Sequence, residues 1–145
     1  MEIYTIGFTK KTAAEFFGSL QRAGIKRLID VRLNNTSQLA GFAKRDDLEY
    51  FLAEICRAEY HHQPLLSPDK DLLDGYKNKT VAWEQYAARF LALLGERGVE
   101  RLVDRRLFDV PTVLLCSEPA ADRCHRRLVA EYLAAKWGGA RIVHL

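Results

Sequence analysis

The sequence predicts an α/β protein with a single-domain, three-layer Rossmann-like fold and a mainly parallel central sheet. Short segments that are apolar, or that alternate apolar and polar residues, are typical of strands. Along the chain they alternate with segments that carry apolar residues at helical spacing. The chain has 145 residues and no low-complexity linker, so we expect one domain over residues 1–145. Its apolar runs all fall short of the about 18 residues that a membrane span requires.

The N-terminal part of the chain predicts a strand, a helix and a second strand. Residues 3–6 are the first strand candidate. Residues 12–15, Thr-Ala-Ala-Glu, match a capping box, in which the two polar side chains satisfy free N–H groups at a helix start. Gly24 is suited to end this helix, and residues 27–32 follow as the second strand.

The rest of the chain supplies further elements by the same criteria. Apolar residues at helical spacing predict helices over 46–55, 71–75 and 83–94. Strands are predicted over 60–62, 112–116 and 142–144. We assign the aromatic residues of the two longer helices to the core rather than to a cofactor site.

The composition is that of a globular protein with a mild positive charge. With 48% hydrophobic and 28% charged residues, the chain is neither fibrous nor intrinsically disordered. The 22 basic and 19 acidic residues give a net charge of +3, which permits a phosphate-bearing partner without requiring one. The N-terminus lacks the basic and apolar regions of a secretory signal, so we expect a cytoplasmic protein.

The three cysteines, Cys56, Cys116 and Cys124, do not form the even, dense set of a disulfide framework. We therefore expect thiols in a reducing compartment. A reversible disulfide between Cys116 and Cys124 stays open, because their separation in space cannot be judged from sequence.

Parallel strands place their carboxyl ends at one edge of the sheet, where ligands of such folds bind. Three groups of residues are predicted at this edge, namely 7–9, 30–32 and 116–118. Asp30 and Arg32 share one face of their strand, so both can contact a ligand or form an ion pair with each other.

The last predicted helix follows the third of these groups, and Asp122 can cap it. On a helical wheel, His125 lies near the centre of the apolar stripe and Arg126 about a quarter turn to one side. The two side chains and the free N–H groups of the first turn suit a phosphate or carboxylate. Alternatively, His125 is a core residue bonded to a backbone carbonyl, and Arg126 pairs with Asp30 or Glu118.

Cys116 has two interpretations. It is a candidate nucleophile, since Arg126, His125 and a helix N-terminus would all favour its thiolate, or it is a small buried residue that ends a strand. Cysteine-dependent phosphatases carry an arginine where this chain has Asp122, which argues against that reaction class.

Two further sites are possible from residue types alone. Cys116, Cys124 and His125 could bind a metal with Glu118 or His144 as a fourth ligand, although the spacing matches no standard zinc pattern. A basic patch with one aromatic residue would suit nucleic acid, or would simply be solvated; its members are Lys10, Lys11, Phe42, Lys44 and Arg45.

The chain also resembles a known family. Matching segments run almost from end to end, and they are 3–7, 28–32, 76–77, 83–86, 114–118 and 124–126. The most specific of them is Cys116-x-Glu118 followed by Cys124-His125-Arg126, and these segments are similar to the domain-of-unknown-function family DUF488. The Trp-x-x-Tyr stretch at 83–86 is similar to one subgroup. The resemblance implies an α/β fold and a small cytoplasmic protein of bacteria or archaea, but no reaction.

Two positions depart from the family pattern. Family members often carry Gly-His-Ser after the first strand, where this chain has Gly7-Phe8-Thr9. Many have a proline after the Asp-Val-Arg motif, where this chain has Asn35. A role for the missing histidine is therefore not transferred to this chain.

Together these observations predict an anion-binding site at the carboxyl edge of the sheet. As an enzyme, the protein would act on a nucleotide or nucleic-acid substrate by acid-base chemistry. Glu118 or His125 would transfer a proton and Asp30 would orient one of them, with Cys116 as a fourth catalytic candidate. The substrate-binding candidates are Arg32, Arg126 and Cys124.

Two other functions use the same residues. One is a non-catalytic module that binds nucleic acid or another anion, and the other is a metal or thiol redox sensor built on Cys116 and Cys124. We expect an anionic small molecule or nucleic acid as partner, no resident cofactor and no membrane. The sequence leaves the oligomeric state and the choice between enzyme and binding module undetermined.

Overall fold

A five-stranded, entirely parallel sheet forms the centre of the protein in the computed structural model, which describes residues 1–36, 40–118 and 120–145. The strands are β1 (Glu2–Gly7), β2 (Arg27–Asp30), β3 (Glu59–His62), β4 (Thr112–Cys116) and β5 (Arg141–His144). Their order across the sheet is β3-β2-β4-β1-β5. The predicted α/β fold with helices on both faces of a parallel sheet is confirmed.

Strand β4 occupies the middle of the sheet, and all its side chains are buried. It pairs with β1 so that Gly7 lies opposite Cys116, and with β2 so that Asp30 lies opposite Leu115. The carboxyl ends of the three strands therefore lie side by side. This register places residues 7–9 and 30–32, two of the predicted groups, beside the third group, 116–118.

Helices cover both faces of the sheet. They are α1 (Ala13–Arg22), α2 (Arg45–Phe51), α3 (Lys70–Lys77), α4 (Trp83–Arg97), α5 (Val99–Leu102) and α6 (His125–Lys136). A π-helical turn (Leu52–Cys56) continues α2, and 3-10 turns lie at Gly41–Ala43, Pro64–Leu66 and Arg105–Phe108. None of the helices in the described residues has the length and apolar character that crossing a bilayer requires.

The capping box predicted for α1 is present. The Thr12 hydroxyl accepts from the Glu15 backbone N–H at 3.1 Å, and the Glu15 carboxylate accepts from the Thr12 N–H at 3.0 Å. Gly24 has a φ of +68°, which places the left-handed residue after the helix end as predicted. For α6, by contrast, the Asp122 cap is wrong: Cys124 is the capping residue and makes no side-chain hydrogen bond.

Two hydrophobic clusters hold the helices to the sheet. Helices α1 and α2 pack on one face through residues that include Phe16 and Leu48. Helices α3, α4 and α6 pack on the other face through residues that include Leu72, Phe90 and Val129. The aromatic residues of α4 belong to this second cluster, as predicted.

The chain leaves the central strands toward opposite faces. After β1 and β2 it enters the face of α1 and α2, whereas after β4 it enters the face of α6. Adjacent strands whose connections diverge in this way leave a crevice beyond their carboxyl ends. In this protein the crevice lies above β4.

Candidate functional site

Arg126, in the first turn of α6, is buried at the carboxyl end of the sheet, with 2% of its surface exposed. Its Nη1 donates to the backbone carbonyl of Glu118 at 2.5 Å and lies 3.2 Å from Cys116 Sγ, while its Nε donates to Thr5 Oγ1. Burial lowers the pKa of Arg126 to about 10, so it stays charged at neutral pH. The pairing proposed with Asp30 or the Glu118 carboxylate is absent among the described ion pairs; the backbone oxygen of Glu118 takes that place.

A glycine makes this close packing possible. A Cβ atom on Gly7 would lie 1.6 Å from the carbonyl oxygen of Glu118 and 2.9 Å from Arg126 Nη1. A hydrogen bond of 3.0 Å from the Thr9 N–H to the Ser117 carbonyl joins the segment after β1 to the same loop after β4. The sequence at the end of β1 thus fixes the loop after β4, and with it the position of the buried guanidinium.

Asp30 and Arg32 form a buried ion pair. The Arg32 Nε and Nη2 donate to the two carboxylate oxygens at 2.8 and 2.9 Å, and Tyr60 donates to Asp30 Oδ2 at 2.6 Å. Asp30 is fully buried and Arg32 is 4% exposed. Burial and the Asp30 charge raise the pKa of Tyr60, which keeps its hydroxyl a donor. Asp30 thus holds Arg32, whose remaining nitrogen, Nη1, is buried with no acceptor among the described residues.

His125 joins α6 to the end of β2. Its Nε2 lies 2.7 Å from the Val31 carbonyl oxygen, and since a carbonyl only accepts, this nitrogen carries the proton. Burial lowers the pKa of His125 to about 4 and outweighs the hydrogen bond to Val31, which raises it. At neutral pH the ring is therefore neutral, which limits its strength as a general base. This is the carbonyl-bonded arrangement weighed as the alternative to ligand contact.

Cys116 and Cys124 are joined by a disulfide. The expectation that all three cysteines are thiols is therefore wrong for this pair and holds for Cys56, which is free and buried. The two cysteines are eight residues apart in sequence, but the loop after β4 returns to the start of α6 and brings them together. Their sulfur atoms lie with a His125 nitrogen within 4.8 Å of one another. While the sulfurs are bonded to each other they are not thiolate ligands for a metal.

A cleft opens beside this cluster, between α3, α4 and the start of α6. Its larger part has a volume of about 210 Å³ and an aromatic wall formed by Tyr76, Trp83 and Tyr86. Trp83 and Tyr86 are stacked with ring centres 5.5 Å apart. Its other lining residues are Leu73, Lys77, Ser117, Glu118, Arg123, Cys124 and His125.

A smaller cavity of about 90 Å³ adjoins the first and shares Leu73, Lys77, Ser117 and His125 with it. Arg32, whose Nη1 has no acceptor among the described residues, lines this smaller part. We name the two parts together the anion cleft, after the anion-binding site that the sequence predicts.

The predicted site residues fall into two groups. Glu118, His125, Arg32 and Cys124 line the anion cleft. The other three, Asp30, Cys116 and Arg126, lie behind its wall and make the contacts given above.

Sequence reasoning missed several members of the site. Tyr60 was treated as part of a weak strand, Lys77 was named only within a segment that matches the family, and Arg123 was not named as a site residue. Tyr60 lies opposite Leu28 in the edge strand β3, two residues from Asp30 across the register, and this pairing is not visible in the sequence. Of the basic patch, Lys11 is tied to the Gly7 carbonyl at 2.7 Å, and burial lowers its pKa.

Comparison with known proteins gives one match. The family described as "Domain of unknown function DUF488" matches residues 12–133. This range contains β2, β4, the disulfide, and every residue named as lining the anion cleft. No curated protein and no solved structure matches the chain.

Proposed function

Because the chain belongs to the DUF488 family, whose function is unknown, we propose an activity from the cleft itself: the protein binds a small anion that carries a planar ring, such as a mononucleotide. The observation that carries the proposal is Arg32, a charged residue of the cleft lining whose Nη1 is buried without an acceptor among the described residues. A donor of this kind costs about 1 to 3 kcal/mol or more when it is left unsatisfied. An anionic oxygen in the cleft would remove this cost.

Further positive charge lies in the lining of the cleft. The exposed side chain of Lys77 lines both parts of the cleft, and that of Arg123 lines the larger part. The one carboxylate in the lining of the described residues is Glu118. The balance of charge therefore favours a phosphate or carboxylate.

The larger part of the cleft, which Arg32 does not line, favours a flat ring. Tyr76, Trp83 and Tyr86 form a continuous aromatic wall, with Tyr76 and Tyr86 centred 4.8 Å apart. Rings of this kind bind bases by stacking and accept different bases equally well. The volumes of about 210 and 90 Å³ suit a small molecule rather than a polymer, which would need an open groove.

The test is a binding titration with adenosine monophosphate, uridine monophosphate, inorganic phosphate and a short single-stranded DNA. Trp83 is a natural reporter, and Trp137→Phe removes the other tryptophan, which packs against Phe108 instead. We expect quenching by the mononucleotides and a stabilisation of about 2.7 kcal/mol at a concentration of 100 Kd. Phosphate alone should bind more weakly.

Lys77→Ala and Lys70→Ala form a matched pair of variants, because both lysines are exposed on α3 and only Lys77 is in the cleft lining. Lys77→Ala should weaken mononucleotide binding, and Lys70→Ala should leave it unchanged. The proposal fails if neither mononucleotide stabilises the wild type, or if both variants respond alike. Preference for DNA with a steep salt dependence would favour the nucleic-acid module instead.

Acid-base catalysis on the bound ligand is a second candidate, and Glu118 supports it. Among the described residues of the lining it is the one carboxylate, whereas Asp30 is fully engaged with Arg32 and Tyr60. Glu118→Gln should leave mononucleotide affinity nearly unchanged and abolish the release of phosphate or nucleoside from it. If product forms at the wild-type rate in this variant, Glu118 has no catalytic role.

A further inference from the structure

The Cys116–Cys124 disulfide lies against two different surroundings. Cys124 is 3% exposed and lines the anion cleft, so a molecule in the cleft lies against this residue. Cys116 is not part of the lining and is 1% exposed, behind the wall. In thiol–disulfide exchange the incoming sulfur attacks one sulfur and the other departs, and access decides which is which. The geometry makes Cys124 the sulfur that is attacked.

The departing sulfur has a cation beside it. Arg126 Nη1 lies 3.2 Å from Cys116 Sγ, and its other contacts are neutral oxygens of Glu118 and Thr5. Among the described residues no carboxylate lies within ion-pair distance of this guanidinium. A buried cation without a counterion is costly, and a thiolate at Cys116 would supply one. Arg126 therefore stabilises the state in which the disulfide is open.

We propose that Cys116 and Cys124 are an exchangeable disulfide that accepts two electrons from a small dithiol in the cleft, with Cys124 attacked and Cys116 leaving as a thiolate held by Arg126. This activity is independent of the mononucleotide binding proposed above. It uses the same entrance but different atoms.

The exchange takes two steps. A thiolate of the dithiol attacks Cys124 Sγ, the bond between the protein sulfurs breaks, and its electron pair goes to Cys116. The second sulfur of the dithiol loses its proton and attacks the mixed disulfide, which releases Cys124 and leaves the dithiol as a cyclic disulfide. Of the two protons that the dithiol gives up, one ends on Cys124 and the other passes to solvent while Cys116 remains a thiolate. The protein is reduced and the dithiol is oxidised by two electrons.

The first measurement uses the wild-type protein and dithiothreitol under native conditions. We expect the rate of disulfide reduction to rise in proportion to the dithiothreitol concentration, because the reagent reaches Cys124 in the folded protein. A rate that saturates at the rate of unfolding would mean that the bond is a buried structural link, and would overturn the proposal.

The second measurement identifies the attacked sulfur. In a Cys56→Ala background, Cys116→Ser leaves Cys124 as the sole thiol, and Cys124→Ser leaves Cys116. Cys56 is buried among α1 residues on the other face of the sheet, so its replacement does not touch the pair. At a pH high enough to ionise both thiols, so that access and not ionisation decides the rate, we expect Cys124 to form the mixed disulfide with oxidised glutathione about tenfold faster or more. Equal rates, or a faster Cys116, would contradict the assignment.

The third measurement tests Arg126 as a positioning residue. Arg126→Gln should lower the second-order rate constant for dithiothreitol by about tenfold, because the leaving thiolate loses its cation, and Arg126→Lys should recover part of it. Circular dichroism verifies that the variants are folded. Unchanged rate constants in folded Arg126→Gln would remove its role. Stoichiometric zinc bound by both cysteines in protein purified without chelator would replace the redox proposal by a metal site.

Discussion

The Nε2 atom of His125 lies 2.7 Å from the carbonyl oxygen of Val31 and ties the first turn of α6 to the end of β2. This bond requires a proton on Nε2, which the neutral ring can supply. It explains how a histidine at the edge of a ligand cleft is held as a structural link between two elements. Its energetic consequence depends on pH.

We predict that acid destabilises the protein through His125. The folded pKa is about 4 and the unfolded pKa about 6.5, so between these values the unfolded state binds more protons. Stability is therefore complete above pH 6.5 and falls by up to about 3 kcal/mol as pH drops toward 4. Urea unfolding at a series of pH values measures it.

His125→Gln is the control for this prediction, because a glutamine can donate the same hydrogen bond without titrating. The variant should lose part of the pH dependence seen in the wild type. Burial also lowers the pKa of His144, and that contribution remains in both proteins. Identical pH profiles would show that His125 does not titrate as described.

Asp30 and Arg32 should be coupled in stability. Asp30→Asn leaves the Arg32 guanidinium buried without its counterion and should cost about 3 to 5 kcal/mol in urea unfolding. Asp30→Asn combined with Arg32→Met removes both charges and should cost less than Asp30→Asn alone. Costs that simply add would show that the pair does not act as a unit.

Tyr60→Phe should lose about 1.5 to 3 kcal/mol, the value of a hydrogen bond to a charged group. The hydroxyl donates to Asp30 Oδ2 at 2.6 Å, and nothing in Phe replaces it. Tyr4→Phe is the matched control, since the Tyr4 hydroxyl lies at the surface, 3.5 Å from Glu2. The two free energies of unfolding, measured side by side, should differ clearly, and similar values would contradict the buried network.

Gly7→Ala should be severely destabilising. Its Cβ would overlap the Glu118 carbonyl oxygen, which is backbone and cannot move without separating β1 from the loop after β4. Gly41→Ala is the control, because a Cβ there meets nothing within 4 Å. We expect a loss of several degrees in Tm or failure to fold for Gly7→Ala, and about ±0.5 kcal/mol for Gly41→Ala. A well-folded, stable Gly7→Ala would mean that the two backbones approach less closely.

The sequence predicted the elements that depend on local chemistry. The capping box at 12–15 and the apolar strand 112–116 both come from side chains close together along the chain, and both are present at those positions. The position of Tyr60 could not be predicted in this way, because its hydrogen bond depends on the pairing of β3 with β2. The residue pattern within one strand does not show how that strand pairs with its neighbour.

Arg126 shows the same limit from another direction. The helical wheel placed it about a quarter turn from the centre of the buried stripe, facing the edge of the sheet, and predicted contact with a ligand or with Asp30 or Glu118. Its burial results from the Glu118 carbonyl and Thr5, which belong to a loop and a strand distant in sequence. The Cys116–Cys124 bond likewise follows from the return of that loop. Charged residues at strand ends therefore predicted that these side chains lie together at one edge of the sheet, without distinguishing ligand contact from internal pairing.

The central position of β4 determines when the fold can form during synthesis. Strand β1 pairs with β4 and β5, and both of these come from the last part of the chain. Strand β2 also pairs with β4. A nascent chain that ends before residue 112 lacks the strand between them. Folding through such long-range pairing is slow, because segments distant in sequence must come together before their contacts stabilise the structure. The first third of the protein therefore completes its sheet only after the last third has been synthesised. The cleft forms in the same late step.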